Sequence, residues 1–471
     1  MITRRLEERP MRTTAMSLRT AVLAAAFVPP APSPAYGAVP AMAVADHPAA
    51  QEVTAIRAGR LIDGTGRPAR ENQVIIVRGE RIEAVGDASA IAIPDGARVV
   101  DLGGHTVMPG IVDAHAHLSI RPDIRTLRGQ LEGMEQHDAM QMARIVRNIR
   151  VQLMSGVTSI YVVGEVHYND IQASQAVEQG IIPGPRIYPS GNFISTTAGH
   201  GPAEYRTTNG PWEMRTFVRQ NYEMGAHHMK LTITDRARVG PNNGTPYAPG
   251  ESNYTKEEID AAVNELHRLG IEATAHANGQ SIRLAVEAGV NSIQHGGNLD
   301  EELMDLMASR DVGFVNTYTI GFQSVFNEWG FLDNEAGDIG DWLERGRQVH
   351  EQELSRNEGR AQRRVARLGQ LSRSKEKGVK VGIGTDSMHG YMLLEMENLV
   401  AAGFTPLEAI TAATGLNAEI VGIEDEVGTV EVGRFADIIA IDGRPDENIR
   451  DMGNVAFIMV GGRDQSALSF R

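Results

Sequence analysis

Residues 107–118 read VMPGIVDAHAHL, and the fold is decided here. An apolar, β-branched run closes on His115 and His117, which predicts a strand over 111–117. Side chains two apart on a strand share a face, so both imidazoles can point to one centre. The same texture recurs downstream. Short apolar strands are predicted at 157–163, 186–190, 228–233, 271–276, 292–295, 313–317 and 379–385. Helical patterns at 139–154, 256–269 and 281–288 fall between them. This alternation predicts an α/β fold, a (β/α)8 TIM barrel with insertions over 109–422. A doubly wound open sheet is the alternative, but no Gly-rich phosphate loop follows the first strand.

The metal-capable residues fall at strand ends. Lys230 lies in the fourth predicted strand, His276 ends the fifth, His295 ends the sixth, and Asp386 follows the eighth. In a barrel these side chains meet at the C-terminal mouth, where barrel active sites are built. One strand-end histidine is usually structural; four histidines and an aspartate landing together point to a metal site.

Both ends of the chain have a different texture. Strands at 55–62, 73–78, 81–85 and 98–102 are separated by turn signals, and similar runs return at 433–441 and 455–461. They predict a small β-sandwich domain built from both termini, 53–108 plus 423–465. Ahead of it, Arg4, Arg5, Arg9, Arg12 and Arg19 precede an apolar run at 20–28 and small-residue sites near Ala43. This reads as a signal peptide over 1–43, so the mature protein is expected to be secreted or periplasmic. That apolar run is too short to span a bilayer, and no membrane association is expected.

Composition narrows the chemistry. The chain has 471 residues, 42% hydrophobic and 22% charged, ordinary values for a core-forming protein. A net charge of −15 argues against nucleic acid as a partner. Cysteine is absent, which excludes thiolate sites and leaves His, Asp, Glu or a modified side chain to hold any metal.

Taken together, GRLIDGTG (59–66), VMPGIVDAHAHL (107–118), HMKL (228–231), ATAHANG (273–279), SIQHG (292–296) and GIGTDS (382–387) resemble the amidohydrolase superfamily. TPLEAITAAT (405–414) and GTVEVGRFADIIAID (428–442) extend the likeness, which covers about 53–463. The chain looks most like the imidazolonepropionase-like branch, with its metal-dependent prolidases, carboxypeptidases and amidohydrolases of ochratoxin-type N-acyl phenylalanines. Lys230 selects the subtype: members with this lysine carry it carboxylated, as a carbamate bridging two metals. The resemblance then implies one metal on His115, His117 and Asp386 and a second on His276 and His295. N6-carboxylysine at Lys230 and a hydroxide would bridge two divalent ions, with Zn2+ the expected metal. Asp386 is the expected proton carrier. His227 and His228 are not ligands in that pattern.

Substrate contacts are less sharply marked. TTAGHG (196–201) resembles a family loop whose histidine contacts substrate, which makes His200 a catalytic or substrate-binding candidate. Where many relatives read GVTTVRDLGG, this chain has GVTSIYVVGE (156–165), without the Arg-Asp pair. Tyr318, Tyr254, His137, His167 and Tyr168 are placed to reach the mouth on loops. Phe322, Phe326, Trp329, Phe331 and Trp342 cluster after the seventh strand, as a lid, an apolar substrate wall or a subunit contact. Residues 341–377 read as one Arg- and Glu-rich helix with a solvated or interface face. The expectation is a homo-oligomeric hydrolase of small N-acyl amino acids or peptides. A cyclic amide or lactone hydrolase and a non-catalytic binding scaffold are the alternatives.

Overall fold

The structure, a computed structural model, describes residues 52–120, 137–197, 199–200, 207–234, 251–322, 325 and 339–467. The signal-like segment through Ala43 lies outside the described residues, as do Phe326, Trp329 and Phe331 of the aromatic cluster. Among the described residues no helix is long and apolar enough to cross a membrane.

The chain starts with β1 (Val53–Leu61), β2 (Arg70–Arg78), β3 (Arg81–Asp87) and β4 (Arg98–Pro109). An alternating region follows: β5 (Ile111–Ala116), α1 (Asp138–Met154), β6 (Val157–Val162), α2 (Asn169–Glu178), β7 (Arg186–Tyr188) and α3 (Pro211–Met224). It continues through β8 (His228–Thr232), α4 (Lys256–Arg268), β9 (Glu272–Asn278), α5 (Ser281–Ala288), β10 (Ser292–Gly297) and α6 (Glu301–Ser309). Next come β11 (Gly313–Asn316), α7 (Ile339–Arg356), α8 (Glu358–Glu376), β12 (Val381–Ile383), α9 (Met392–Ala401), α10 (Pro406–Ala412) and α11 (Gly415–Ile420). Strands β13 (Ile438–Ile441), β14 (Val455–Val460) and β15 (Arg463–Asp464) close the chain.

The terminal strands form one seven-stranded sheet in the order β15-β14-β13-β4-β1-β2-β3. It curls, because Arg81 at its β3 edge bridges Phe435, just ahead of β13. That turns one apolar face inward, where Ile56, Ile75, Ile82, Ile438, Phe457 and Met459 form a shared core.

The alternating region is mixed α/β. Its strands form two parallel sheets, β5-β6-β7 and β12-β11-β10-β9-β8. Single bridges link them at both borders, Ile194 to Leu231 on one side and Ala116 to Asp386 on the other. Every residue of β5, β6 and β8 is buried, as expected of parallel strands covered on both faces. Helix starts carry their own signals. Thr255 and Glu258 make a reciprocal capping box on α4, and Thr405 with Glu408 repeats it on α10, where Pro406 takes the first helical position.

One expectation is corrected. The predicted helix over 341–377 is two helices, α7 and α8, broken at Asn357. The Asn357 side chain accepts from the Arg360 amide and starts a new helix axis.

Candidate metal centre

The centre begins where β5 meets the segment after β12. The Asp386 amide donates to His115 O at 2.7 Å, and the His117 amide donates to Asp386 O at 3.0 Å. Glycine is required beside this crossing: a Cβ on Gly384 would stand 2.6 Å from the His115 amide nitrogen. Buried Asp113 locks it from beneath. Its carboxylate accepts from the Thr385 hydroxyl at 2.5 Å, the Thr385 amide at 3.0 Å and Gln152 Nε2 at 2.6 Å. The result brings one ligand atom each from His115, His117 and Asp386 within 4.8 Å of one another.

The neighbouring strands add the other candidates. Lys230 Nζ from β8 lies 3.1 Å from His117 Nε2. From β10, His295 puts Nε2 4.0 Å from Asp386 Oδ2, and its ring centroid lies 4.6 Å from that of His115. His276 from β9 packs at 4.5 Å from His295, and His200 at 4.4 Å from His276. All six predicted ligand positions and His200 therefore share one cluster. His295 and Asp386 both adopt positive φ, +68° and +61°, a costly conformation for residues with a side chain and one that gathers at functional sites.

Three of the imidazoles have one nitrogen committed. His115 Nδ1 pairs with Gln294 Oε1 at 2.6 Å, and His117 Nδ1 with Gly164 O at 2.7 Å. His295 Nδ1 meets Thr317 Oγ1 at 2.5 Å. Two of these acceptors carry no hydrogen, so Nδ1 donates and each Nε2 turns its lone pair inward. Burial, then the Lys230 ammonium, holds His115 and His117 well below the ordinary histidine range. Burial also pushes the Lys230 amine down to about 7. His115 Nε2 is the informative atom. It is buried without a hydrogen-bond partner and stands 3.6 Å from Asp386 Oδ2, too far for a hydrogen bond. A divalent cation between them would satisfy both, so the donor set fits a metal.

The remaining predicted contacts are spread more widely. Tyr318 follows β11, and its hydroxyl lies 2.9 Å from His350 Nε2. Tyr254 is buried in the apolar core, its hydroxyl 3.4 Å from that of Thr208. His137 is exposed ahead of α1, and exposed His167 pairs with Asp138 at 2.5 Å. His228 is buried and stacks on Tyr161, while His227 packs edge-on to Tyr188. Of the aromatic cluster, Phe322 packs on His350 and Trp342 stacks on Tyr391 inside the core.

Three features lay outside the sequence reading. Gln294, Gly164 and Thr317 orient the histidines, although each is adjacent to or near a marked residue. Glu165 of GVTSIYVVGE is buried and accepts from the Ser119 amide at 2.9 Å and from its hydroxyl. Finally, the face of α8 read as solvated borders a cavity of about 360 Å³.

The sequence model of the amidohydrolase family matches residues 106–463. The chain is 29% identical over 436 residues to the ochratoxinase of Aspergillus niger, covering 85% of this chain and 83% of that one. It is 24% identical over 405 residues to an imidazolonepropionase of Rhizobium rhizogenes, covering 78% and 85%. Among solved structures, an Xaa-Pro dipeptidase with bound methionine superposes with a TM-score of 0.70 at 27% identity, over 88% of this chain and 99% of that one. The A. niger ochratoxinase structure gives 0.69 at 26% identity, over 88% and 95%.

Proposed function

The chain belongs to the amidohydrolase family, and from that premise we propose that it hydrolyses the amide bond of N-acyl amino acids or small peptides at a two-metal centre. The observation that carries this reading is the convergence of His115, His117 and Asp386 on one point, with Lys230, His276 and His295 beside it. We take the eight parallel strands to be a (β/α)8 barrel, since single bridges join both borders of the two sheets, with the terminal strands as the β-sandwich.

Two bound divalent cations, with Zn2+ the best match to imidazole and carboxylate ligands, would supply an activated water and polarise the scissile carbonyl. His115, His117 and Asp386 would hold the first, and His276 and His295 the second. Lys230 would add CO2 at Nζ, forming an N–C bond and releasing a proton, and its carbamate would supply further oxygen ligands. Asp386 takes the proton of the attacking water at Oδ2 and hands it to the departing nitrogen, which leaves poorly as an anion. His200 sits beside His276, where it would touch the substrate near that bond. The basic and apolar N-terminal segment supports export, and we take the exported protein to be a homo-oligomer.

A panel of N-acyl amino acids and dipeptides ending in Pro, Phe, Arg or Lys, run beside cyclic amides and lactones with Zn2+-reconstituted protein, tests the reading. Turnover of the linear amides, lost on chelation, is expected. Asp386→Asn should cut turnover by about 10²- to 10⁴-fold while the bound metal is retained. Full activity of that variant removes Asp386 from the reaction, and a protein that binds no transition metal is a scaffold, not an enzyme of this type.

A further inference from the structure

Gln152 lies in the last turn of α1 and is fully buried. A buried primary amide must find partners for its N–H groups and its oxygen. Its Nε2 donates to Asp113 Oδ2 at 2.6 Å and to Thr385 Oγ1 at 3.1 Å, and lies 3.4 Å from His389 Nδ1. Its Oε1 accepts from the Gly390 amide at 3.3 Å. The reverse orientation would set an oxygen against the Asp113 carboxylate, so the neighbours fix which way the amide points.

These contacts bracket Asp386. Thr385 precedes it, and His389 and Gly390 end the turn that follows, so one helix side chain grips both flanks of the proposed proton carrier. On its other side Asp386 is tied through its backbone to His115 and His117. Both attachments matter, because a φ of +61° at Asp386 persists only where the surroundings fix it. The helix is also seated directly on the turn. Gly390 has a φ of +83°, and a Cβ there would stand 2.9 Å from the side chain of Val151, the residue before Gln152. Asp113 completes the clamp: its Oδ2 accepts from Gln152 and from the Thr385 hydroxyl together.

Resting on the function proposed above, we infer that Gln152 is a positioning residue for that reaction. It fixes the 385–390 turn so that the Asp386 carboxylate keeps its bearing on the reacting atoms, and it acts only through Asp386.

The test compares Zn2+-loaded wild type with Gln152→Met, which fills a similar volume without a hydrogen-bonding amide, and Gln152→Glu, which keeps an oxygen for the Gly390 amide. Two substrates share the benzoyl group: N-benzoyl-L-phenylalanine, an amide, and O-benzoyl-L-phenyllactic acid, its ester counterpart. An alkoxide leaves far more readily than an amide anion, so the ester depends less on the proton that Asp386 delivers. Per bound metal, Gln152→Met should lose about 10- to 100-fold in kcat on the amide, with KM little changed. The loss on the ester should be several-fold smaller. In an Asp386→Asn background Gln152→Met should cost nothing further, since residues that act as a unit are not additive. If Gln152→Met does not fold, the same comparisons are read from Gln152→Glu, whose loss should be smaller but equally selective. No loss, equal losses on both substrates, or an undiminished loss in the Asp386→Asn background overturns the positioning role and leaves the hydrolase standing. If neither substrate turns over, the hydrolase reading fails and the visible absorption of Co2+-substituted protein decides. Bands altered in Gln152→Met keep the hold on Asp386, and identical bands remove it.

Discussion

At the residue scale, the cluster depends on how its imidazoles are held. Gln294 is the clearest case: its Oε1 accepts from His115, and its Nε2 donates to Thr274 Oγ1 at 2.8 Å. The amide is thus oriented from behind and fixes the His115 tautomer. Gln294→Ala removes the acceptor, letting the ring turn and the proton move to the metal-facing nitrogen. Metal affinity should fall by about 10- to 100-fold, read by chelator competition, with the fold retained. An unchanged affinity would show that packing alone orients His115. The same contrast explains what could be read in advance. Histidines at strand ends announce themselves, because alternation within one strand settles which way they face. Gln294 beside His295, or the carbonyl of Gly164, has no such signature, and its role exists only once β5, β6 and β10 are adjacent.

At the element scale, the parallel strands were legible because each is a short, fully buried apolar run bounded by glycine or polar turns. Their observed ends differ from the expected ones by a few residues. The α7–α8 break was hidden by charge periodicity, which runs through Asn357 without saying where the axis turns. A side chain able to cap, three positions ahead of Arg360, was the available clue. The arginine face of α8 is solvent-accessible, as its pattern suggests. Its place beside a cavity was not legible, because a helix that lines a cavity has the same polar pattern as one facing solvent. The loops after β5 and β6 are joined in a way that pH can report. Burial pushes Glu165 up to about 7 from an ordinary 4.5. Between those values the native state keeps a proton that the unfolded chain has lost, so this group's contribution falls as pH rises through the window and is level above it. Glu165→Gln keeps both Ser119 contacts, the amide oxygen accepting the N–H and the amide nitrogen donating to the hydroxyl. The unfolding free energy of the variant relative to wild type should climb from about pH 5 to about pH 7 and then flatten, in denaturant melts of metal-free protein. A pH-independent difference would mean that Glu165 is already ionised in the fold.

At the scale of the whole molecule, the candidate ligands come from both parallel sheets, and between His115 and Asp386 the chain supplies every element from α1 to β12. The unfolded chain has no such site, so metal binding is coupled to the association of the two sheets. Without a cation the native state holds a buried, unpartnered His115 Nε2 and a buried lysine against His117, both of which cost free energy. A metal relieves that cost only in the folded state. At a free metal concentration 100 times Kd, the gain is about 2.7 kcal/mol. Chelation should therefore lower Tm by several degrees, and Zn2+ should restore it. His117→Ala, which removes a ligand from the β5 side, should lose most of the response while still melting cooperatively. If chelated and Zn2+-loaded wild type melt at the same temperature, the histidine cluster does not join the two sheets through a cation, and a metal-based reading of the centre fails at its foundation.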